Sequence, residues 1–433
     1  MVTTLLPART VEPPLLPGDA VTAAAAAIRL PRHGPTLTVW ASTPGGCEEQ
    51  AAAELAALGW RPAPVPTPRT AQTGTACGLV WERGSVYGRA DIAAILATLR
   101  AARTVTRVTW LVAATQVASL AEVFTAVREA PLPDLPDAPF AVVAERHGRQ
   151  AFRSPEVARV AGDAVNATHR ARTGRRLPVD LEQPTTVVRV EVTDERLRVG
   201  CELTVGSLHR RAYYAVRHHA GLNPAVAATL LGLAGWRADQ RLVDPFCGGA
   251  TIPVEAALAA LRRPPRGAGV GDRLAPLGLA DRAARATVDA AVRSAQERGD
   301  RPPLLRARER ETAHVRQAWS NLAAAGVADL VDLDVGDARR PEAYGAGCAA
   351  VVTNPPYGLR AGWRAQLREL YRAALAATAE RLEVGGSAVW LLTAPRVAAA
   401  AAEPAGLALV ERRTIGLGSF DAFACRFAAA RQA

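Results

Sequence analysis

The sequence contains no lysine: all 52 basic residues in its 433 are arginine. Methionine occurs once and aromatic residues make up only 5% of the chain, while alanine is abundant and proline occurs 31 times. This composition points to biased codon usage, so the pI of about 10.2 is partly a compositional effect. The six cysteines stand singly, without a Cys-x-x-Cys pair. That argues against a zinc site and a disulfide framework, and fits a reducing cytoplasm. Cys247 reads as a small packing residue rather than a nucleophile. His218 and His219 have no matching cluster of ligands, so no metal is expected. Long hydrophobic runs are missing too. The stretch Ala20 to Ile28 is too short to cross a bilayer, follows a Pro-rich start and has no basic segment before it. Neither a signal peptide nor a membrane span is expected.

What the chain does have is a pair of strand-end motifs. Ala349-Ala350-Val351-Val352-Thr353 reads as a short buried strand, and Asn354-Pro355-Pro356-Tyr357 follows it. Two prolines cannot continue a sheet ladder, so the strand stops there. Asn354 is thereby held at the carboxyl end of a strand, where open α/β sheets place their ligand chemistry. An Asn side-chain oxygen and a neighbouring backbone carbonyl can both accept from one amino group. Tyr357 can stack on the planar system that carries that group. This is the chemistry of methylating a planar exocyclic or amide nitrogen. Alone, the motif also matches an ordinary strand end with a Pro-Pro turn.

The second motif is Leu242-Val243-Asp244-Pro245-Phe246-Cys247-Gly248-Gly249-Ala250-Thr251, read as strand, glycine turn and the start of a helix running on through Glu255. Glycines let backbone approach a ligand closely. Thr251 can begin or cap the helix. Together the two motifs resemble the class I S-adenosylmethionine-dependent methyltransferases. The resemblance implies a Rossmann-like α/β domain with a mixed seven-stranded sheet and an antiparallel C-terminal strand. It also implies S-adenosylmethionine as cofactor, held by Asp244, Phe246, Gly248, Gly249, Thr251 and Asn354.

Two more positions follow the same template. Pro303 to Glu309 looks like the second strand, and the helical spacing from Thr312 to Leu322 comes after it. A carboxylate at that strand end can accept both ribose hydroxyl protons. Glu309 is the candidate and Glu311 its rival. Val331 to Val335 alternates as a strand and leads into Gly336-Asp337-Ala338. By the resemblance, Asp337 binds the adenine amino group, with Ala338 beside it.

The upstream half points to the substrate. Phe140 to Phe152 alternates, Ser154-Pro155-Glu156 starts a helix through Ala171, and apolar segments lie at Val187–Val192 and Arg198–Leu203. This order resembles a THUMP domain, an RNA-binding module. Thr36 to Ser42, followed by an Ala-rich helix through Leu58, resembles the ferredoxin-like domain that precedes THUMP. The architecture from about residue 36 to 428 is similar to the THUMP-containing guanine-N2 methyltransferases of tRNA and ribosomal RNA. It departs from them at Ala250, where the family usually has Gly, and at Gly249, where it often has Ser.

The expected organisation is a loosely ordered 1–35, a ferredoxin-like 36–90, a THUMP-like 91–206, a connector at 207–223 and a methyltransferase domain at 224–433. Arg262 to Pro303 reads as a long excursion containing a helix from Ala280 to Glu297, and a further helix is expected from Trp363 to Leu382. The resemblance implies methyl transfer to the N2 amino group of a guanosine, flipped into the pocket. Asn354-Pro355-Pro356-Tyr357 followed by Gly358, Leu359 and Arg360 most resembles enzymes acting on position 6 of the tRNA acceptor stem. Ribosomal RNA is the nearest alternative. DNA adenine or protein glutamine, and an inactive RNA-binding scaffold, are further ones. A formal charge of +11 favours a polyanion, expected here to be tRNA, with the enzyme a cytoplasmic monomer.

Overall fold

The computed structural model describes residues 19–30, 34–63, 73–215, 221–266, 271–297, 304–358, 364–418 and 420–430. The expectations resting on His218, His219, Pro303, Leu359, Arg360 and Trp363 fall outside the described residues.

The amino-terminal half contains α1 (Ala20–Ala26), β1 (Thr36–Ser42), α2 (Glu48–Ala57), β2 (Thr73–Ala76), β3 (Leu79–Glu82), β4 (Ser85–Asp91) and α3 (Ile92–Ala101). It continues with β5 (Arg107–Gln116), α4 (Leu120–Glu129), β6 (Phe140–His147), α5 (Ser154–Thr173), β7 (Thr186–Thr193) and β8 (Arg196–Glu202). All eight strands form one sheet in the order β2-β3-β4-β1-β5-β8-β7-β6. Only β6 and β7 pair in parallel, which requires the crossover helix α5 between them.

The expected division after residue 90 falls inside this sheet. Asp91 ends β4 and its carboxylate accepts from the Ala94 amide, capping α3. The chain then returns through β5 to pair with β1. Non-local pairing of this kind leaves no mark on local periodicity. Within the stretch expected to be loosely ordered, the described residues 19–30 hold the helix α1. Asp19 caps it by accepting from Val21 N and Thr22 N, and Ala20, Val21, Ala24 and Ala25 bury one narrow face. Alanine costs little to hold in a helix, so a cap and a thin apolar stripe suffice.

The carboxyl-terminal half contains α6 (Pro224–Leu233), β9 (Leu242–Asp244), α7 (Thr251–Ala260), α8 (Arg282–Glu297), β10 (Leu305–Glu309), α9 (Thr312–Ala324) and β11 (Val331–Val335). After these come β12 (Cys348–Thr353), α10 (Arg364–Arg381), β13 (Leu382–Leu392), α11 (Pro395–Ala402), β14 (Leu407–Gly416) and β15 (Asp421–Ala429). The sheet order is β11-β10-β9-β12-β13-β15-β14, with β15 antiparallel to both of its neighbours. This is the mixed seven-stranded sheet expected from the resemblance. Gly385 and Gly386 lie within β13, where the pairing with β12 shifts register. Chain order reverses between β9 and β12, so the crevice at their carboxyl ends is the topological switch point. Both sequence motifs begin there.

The two halves are knitted together. Residues of α8 (Ala284, Val288, Val292 and Ala295) share a core with α3, so the excursion packs on the amino-terminal half. Arg100 of α3 donates to Asp289 of α8 at 3.0 Å. Every residue of α7 is buried, and α1 lies against it.

Candidate active site

Asp244 closes β9 and Thr353 closes β12. The Thr353 hydroxyl donates to Asp244 Oδ1 at 2.6 Å, and the Phe246 amide donates to the same oxygen at 3.2 Å. These bonds tie the two motifs into one floor. Asp244 is 1% exposed, and burial pushes its carboxyl up to about 7, against the pull of those hydrogen bonds and with the help of nearby Glu309. Among the described residues no arginine or histidine pairs with it. Such a carboxylate fits a cationic ligand.

The glycine turn is shaped by two positive-φ residues, Gly248 (φ 51°) and Ala250 (φ 62°). Ala250 is the N-cap of α7 and makes no side-chain cap bond, so Thr251 begins the helix rather than capping it. A left-handed alanine costs about 1–2 kcal/mol, which glycine would avoid. The Thr251 hydroxyl lies 3.3 Å from the Tyr214 hydroxyl, which reaches across from the connector and donates to the Leu222 carbonyl at 3.0 Å. Asn223 then caps α6, as its place before Pro224 suggests. Asn321 of α9 donates to the Gly249 carbonyl at 3.0 Å and fixes the turn from the other side.

Glu309 and Glu311 part company. Glu309 Oε2 accepts from the Gly248 amide at 3.1 Å, so its carboxylate faces the glycine turn. Glu311 points away, with its side chain 58% exposed and paired with Arg310. Asp337 follows Gly336, whose amide donates to the Glu309 carbonyl at 3.0 Å. Its carboxylate is engaged by Arg339 through Nε at 2.9 Å, and that bond holds the carboxyl below its ordinary range. Ala338 is buried, and its carbonyl accepts from Tyr344.

Asn354-Pro355-Pro356-Tyr357 forms a pinned loop. Tyr371 of α10 donates to the Pro356 carbonyl at 3.0 Å, and Thr393 donates to the Tyr357 carbonyl at 3.0 Å. Burial pushes the Tyr357 phenol up to about 12, and a side-chain hydrogen bond from Asn354 opposes that shift. Asn354 Oδ1 is buried and has no hydrogen-bond partner among the described residues. An acceptor left in that state costs about 1–3 kcal/mol, which an incoming N–H group would recover.

The structure therefore brings Asp244, Phe246, Gly248, Gly249, Thr251, Glu309 and Asn354 around one crevice, with Asp337 and Ala338 on the loop adjoining Glu309. Sequence reading missed Thr353, Tyr214, Asn321, Tyr371 and Thr393. Of these only Thr353, next to Asn354 at the strand end, carried a local signal. S-adenosylmethionine fits this set, since its cationic methionine end suits Asp244 and its ribose diol suits Glu309.

Comparison with known proteins agrees with the geometry. Residues 211–420 match the RMKL-like methyltransferase domain model, and residues 117–202 match the THUMP domain model. A tRNA (guanine(6)-N2)-methyltransferase of Archaeoglobus fulgidus is 33% identical over 78% of this chain and 81% of its own length. A ribosomal RNA large subunit methyltransferase K/L of Chromohalobacter salexigens is 33% identical over 49% of this chain and 29% of its own. The crystal structure of TrmN from Thermus thermophilus superposes with a TM-score of 0.63 at 25% identity, covering 91% of this chain and 99% of that one. The chain belongs to the THUMP-bearing, S-adenosylmethionine-dependent RNA guanine-N2 methyltransferases.

Proposed function

We propose that this enzyme methylates the N2 amino group of guanosine 6 in the acceptor stem of tRNA. The observation that carries the site assignment is the buried Oδ1 of Asn354 at the end of β12, which has no partner among the described residues. A guanine amino group donates one hydrogen to that oxygen and the other to the Pro355 carbonyl. Tyr357 stacks on the purine. These contacts turn the nitrogen lone pair toward the cofactor side of the crevice. S-adenosylmethionine, when bound, supplies a methyl group already activated on a sulfonium. The protein's part is orientation, so Asn354 need not act as a base. The proton leaves after the nitrogen becomes cationic. Asp244, Phe246, Gly248, Gly249, Thr251, Glu309, Asp337 and Ala338 hold the cofactor.

Transfer RNA is favoured over ribosomal RNA because the tRNA-specific relative aligns with 78% of this chain, whereas the ribosomal one aligns with 49%. A base in a duplex must be flipped out at a cost of a few kcal/mol, and the module that grips the RNA offsets it. We assign that grip to the THUMP-like unit expected at 91–206, of which residues 117–202 match the THUMP domain model, with the ferredoxin-like unit expected at 36–90 before it. A monomer in the cytoplasm, with its cysteines reduced, fits the substrate and the free thiols. No described helix is long and apolar enough to cross a membrane.

The test is a single-turnover assay of Asn354→Ala on tRNA transcripts, with product mapped by mass spectrometry. Turnover should fall by at least a hundredfold, with cofactor affinity within a few-fold of the parent. Near-normal turnover sinks the role of Asn354. Methylation of ribosomal RNA fragments in preference to tRNA sinks the substrate assignment.

A further inference from the structure

We infer that Tyr371 is a positioning residue for methyl transfer, whose hydroxyl fixes the carbonyls of the Pro355-Pro356 loop and whose ring holds that loop at a set distance from the cofactor turn. The inference rests on the reading of Asn354 and Pro355 just given. Proline has no N–H, so neither Pro355 nor Pro356 can tie the loop down through a backbone donor. The loop must be held by donors from elsewhere, acting on its carbonyls. Each prolyl ring locks φ, which leaves ψ as the soft backbone angle at each position. The Tyr371 hydroxyl donates to the Pro356 carbonyl at 3.0 Å and removes the freedom of the second ψ. Thr393 donates to the Tyr357 carbonyl at 3.0 Å and holds the far end. Asn354 follows β12 directly, so its position is inherited from the sheet. The Pro355 carbonyl lies between these fixed points and is aimed by them.

Tyr371 itself is held from behind the site. It lies on α10 and is fully buried. Burial and the neighbouring Tyr357 push its phenol up, so it keeps the proton that it donates. Its ring meets that of Trp390 edge-on, with centroids 5.8 Å apart and planes at 86°. Trp390 is fully buried too and stands opposite Thr353 in the pairing of β12 with β13. It also meets Phe246 of the cofactor turn, at 5.9 Å and 75°. Close-packed interiors have low compressibility, so such a file of rings keeps its length. The loop that receives the base and the turn that receives the cofactor are therefore spaced by three packed aromatic rings and one hydrogen bond. Methyl transfer needs the attacking nitrogen within about 3–3.5 Å of the methyl carbon and in line with the departing sulfur. A loop that drifts by about 1 Å loses that geometry while both ligands still bind.

The experiment uses the full chain with Tyr371→Phe, which deletes the hydroxyl and keeps the ring, beside Asn354→Ala and the double variant. Pro356 is exposed, so water can take over its carbonyl and the fold should not suffer. Measured quantities are kcat and KM on tRNA transcript, S-adenosylmethionine affinity by calorimetry, and thermal melting. We expect Tyr371→Phe to lower kcat by roughly 10- to 100-fold, the scale of a 1 Å misplacement, with KM, cofactor affinity and melting unchanged. Because Tyr371 acts through the loop that carries Asn354, the double variant should lose less than the product of the two single losses. Parental kcat in Tyr371→Phe beside an inactive Asn354→Ala overturns this inference alone. A kcat loss matched by loss of cofactor affinity or melting stability assigns the hydroxyl to packing and also overturns it, as does a double variant at the full product. Full activity in both single variants overturns the underlying site as well.

Discussion

Replacing Asp244 by asparagine should stabilise the ligand-free protein above neutral pH while weakening its hold on S-adenosylmethionine. Burial sets the Asp244 carboxyl at about 7, well above the ordinary value of ~3.9. The native state thus keeps its proton where the unfolded chain has lost it. Below pH ~4 both states are protonated and burial of this group carries no charge penalty. As pH rises from ~4 to ~7 the unfolded chain ionises first, and native stability falls across that window. Above ~7 the native carboxylate is charged as well, and the penalty levels off at on the order of 4 kcal/mol. Asparagine keeps an Oδ1 that can accept from Thr353 and Phe246, so most of that penalty should be removed without orphaning either donor. A cationic cofactor, in contrast, loses its counter-charge. Loss of a hydrogen bond involving a charged group costs roughly 1.5–3 kcal/mol, or 10- to 150-fold in affinity. The assay is thermal melting of both proteins from pH 4 to 8.5, with calorimetry at pH 8. The stability difference should be near zero at pH 4 and grow to its full size by pH 8. Parallel melting curves across that range, or equal cofactor affinity at pH 8, would refute the reasoning.

Glu309→Ala should weaken S-adenosylmethionine binding by about 10- to 150-fold, and Glu311→Ala should leave it unchanged. Calorimetry on the two variants reads this directly, and the reverse result would exchange their roles. Glu255→Ala should destabilise the protein by about 3–5 kcal/mol in urea unfolding, because it leaves Arg103 and Arg211 buried without their shared carboxylate. A loss below about 1 kcal/mol would show that water reaches the cluster. Ala250→Gly should be close to neutral in stability. Relief of the left-handed alanine, about 1–2 kcal/mol, is offset by glycine's entropy and by a lost buried methyl of about 0.8 kcal/mol. Cofactor affinity should not fall, and a marked loss would show that the methyl group fits the ligand.

The two chemical motifs were legible because each is compressed into a few residues at a strand end. Pro355 stops the strand just past β12 and Pro245 just past β9, so local sequence alone was enough to place Asp244 and Asn354. The helix from Ser154 was legible from Pro155 near its start. Glu309 was preferred with Glu311 as its rival, since both are acids beside a strand end and only the direction of the side chain distinguishes them. Asn321 and Tyr371 act through tertiary contacts from two different elements, which no window of sequence displays. The same holds for α1. Its alanines show little helical contrast, and its role depends on α2, α6 and α7 lying around it.

Glu255 shows why the two halves act as one piece. It sits one turn into α7, the helix that opens at the cofactor loop, and it is fully buried. Arg211 Nε donates to it at 2.9 Å and the Tyr213 hydroxyl at 2.8 Å, both from the connector. Arg103, which follows α3 in the other half, reaches Glu255 at 3.4 Å and donates to the Leu258 carbonyl at 2.9 Å. The Arg103 amide is in turn fixed by Glu54 of α2 at 2.8 Å. A chain of charged hydrogen bonds therefore runs from α2 to the helix behind the glycine turn. Residues 207–433 alone would lose Arg103, α1 and the α3 surface that covers α8, and would expose apolar faces on α7 and α8. A fragment of that kind would lose its own support together with its RNA grip. The intact chain needs no flexible tether to bring base and cofactor together. The THUMP-bearing half and the floor at Asp244 are parts of one packed body, and the effective concentration of a bound guanosine is set by its rigidity.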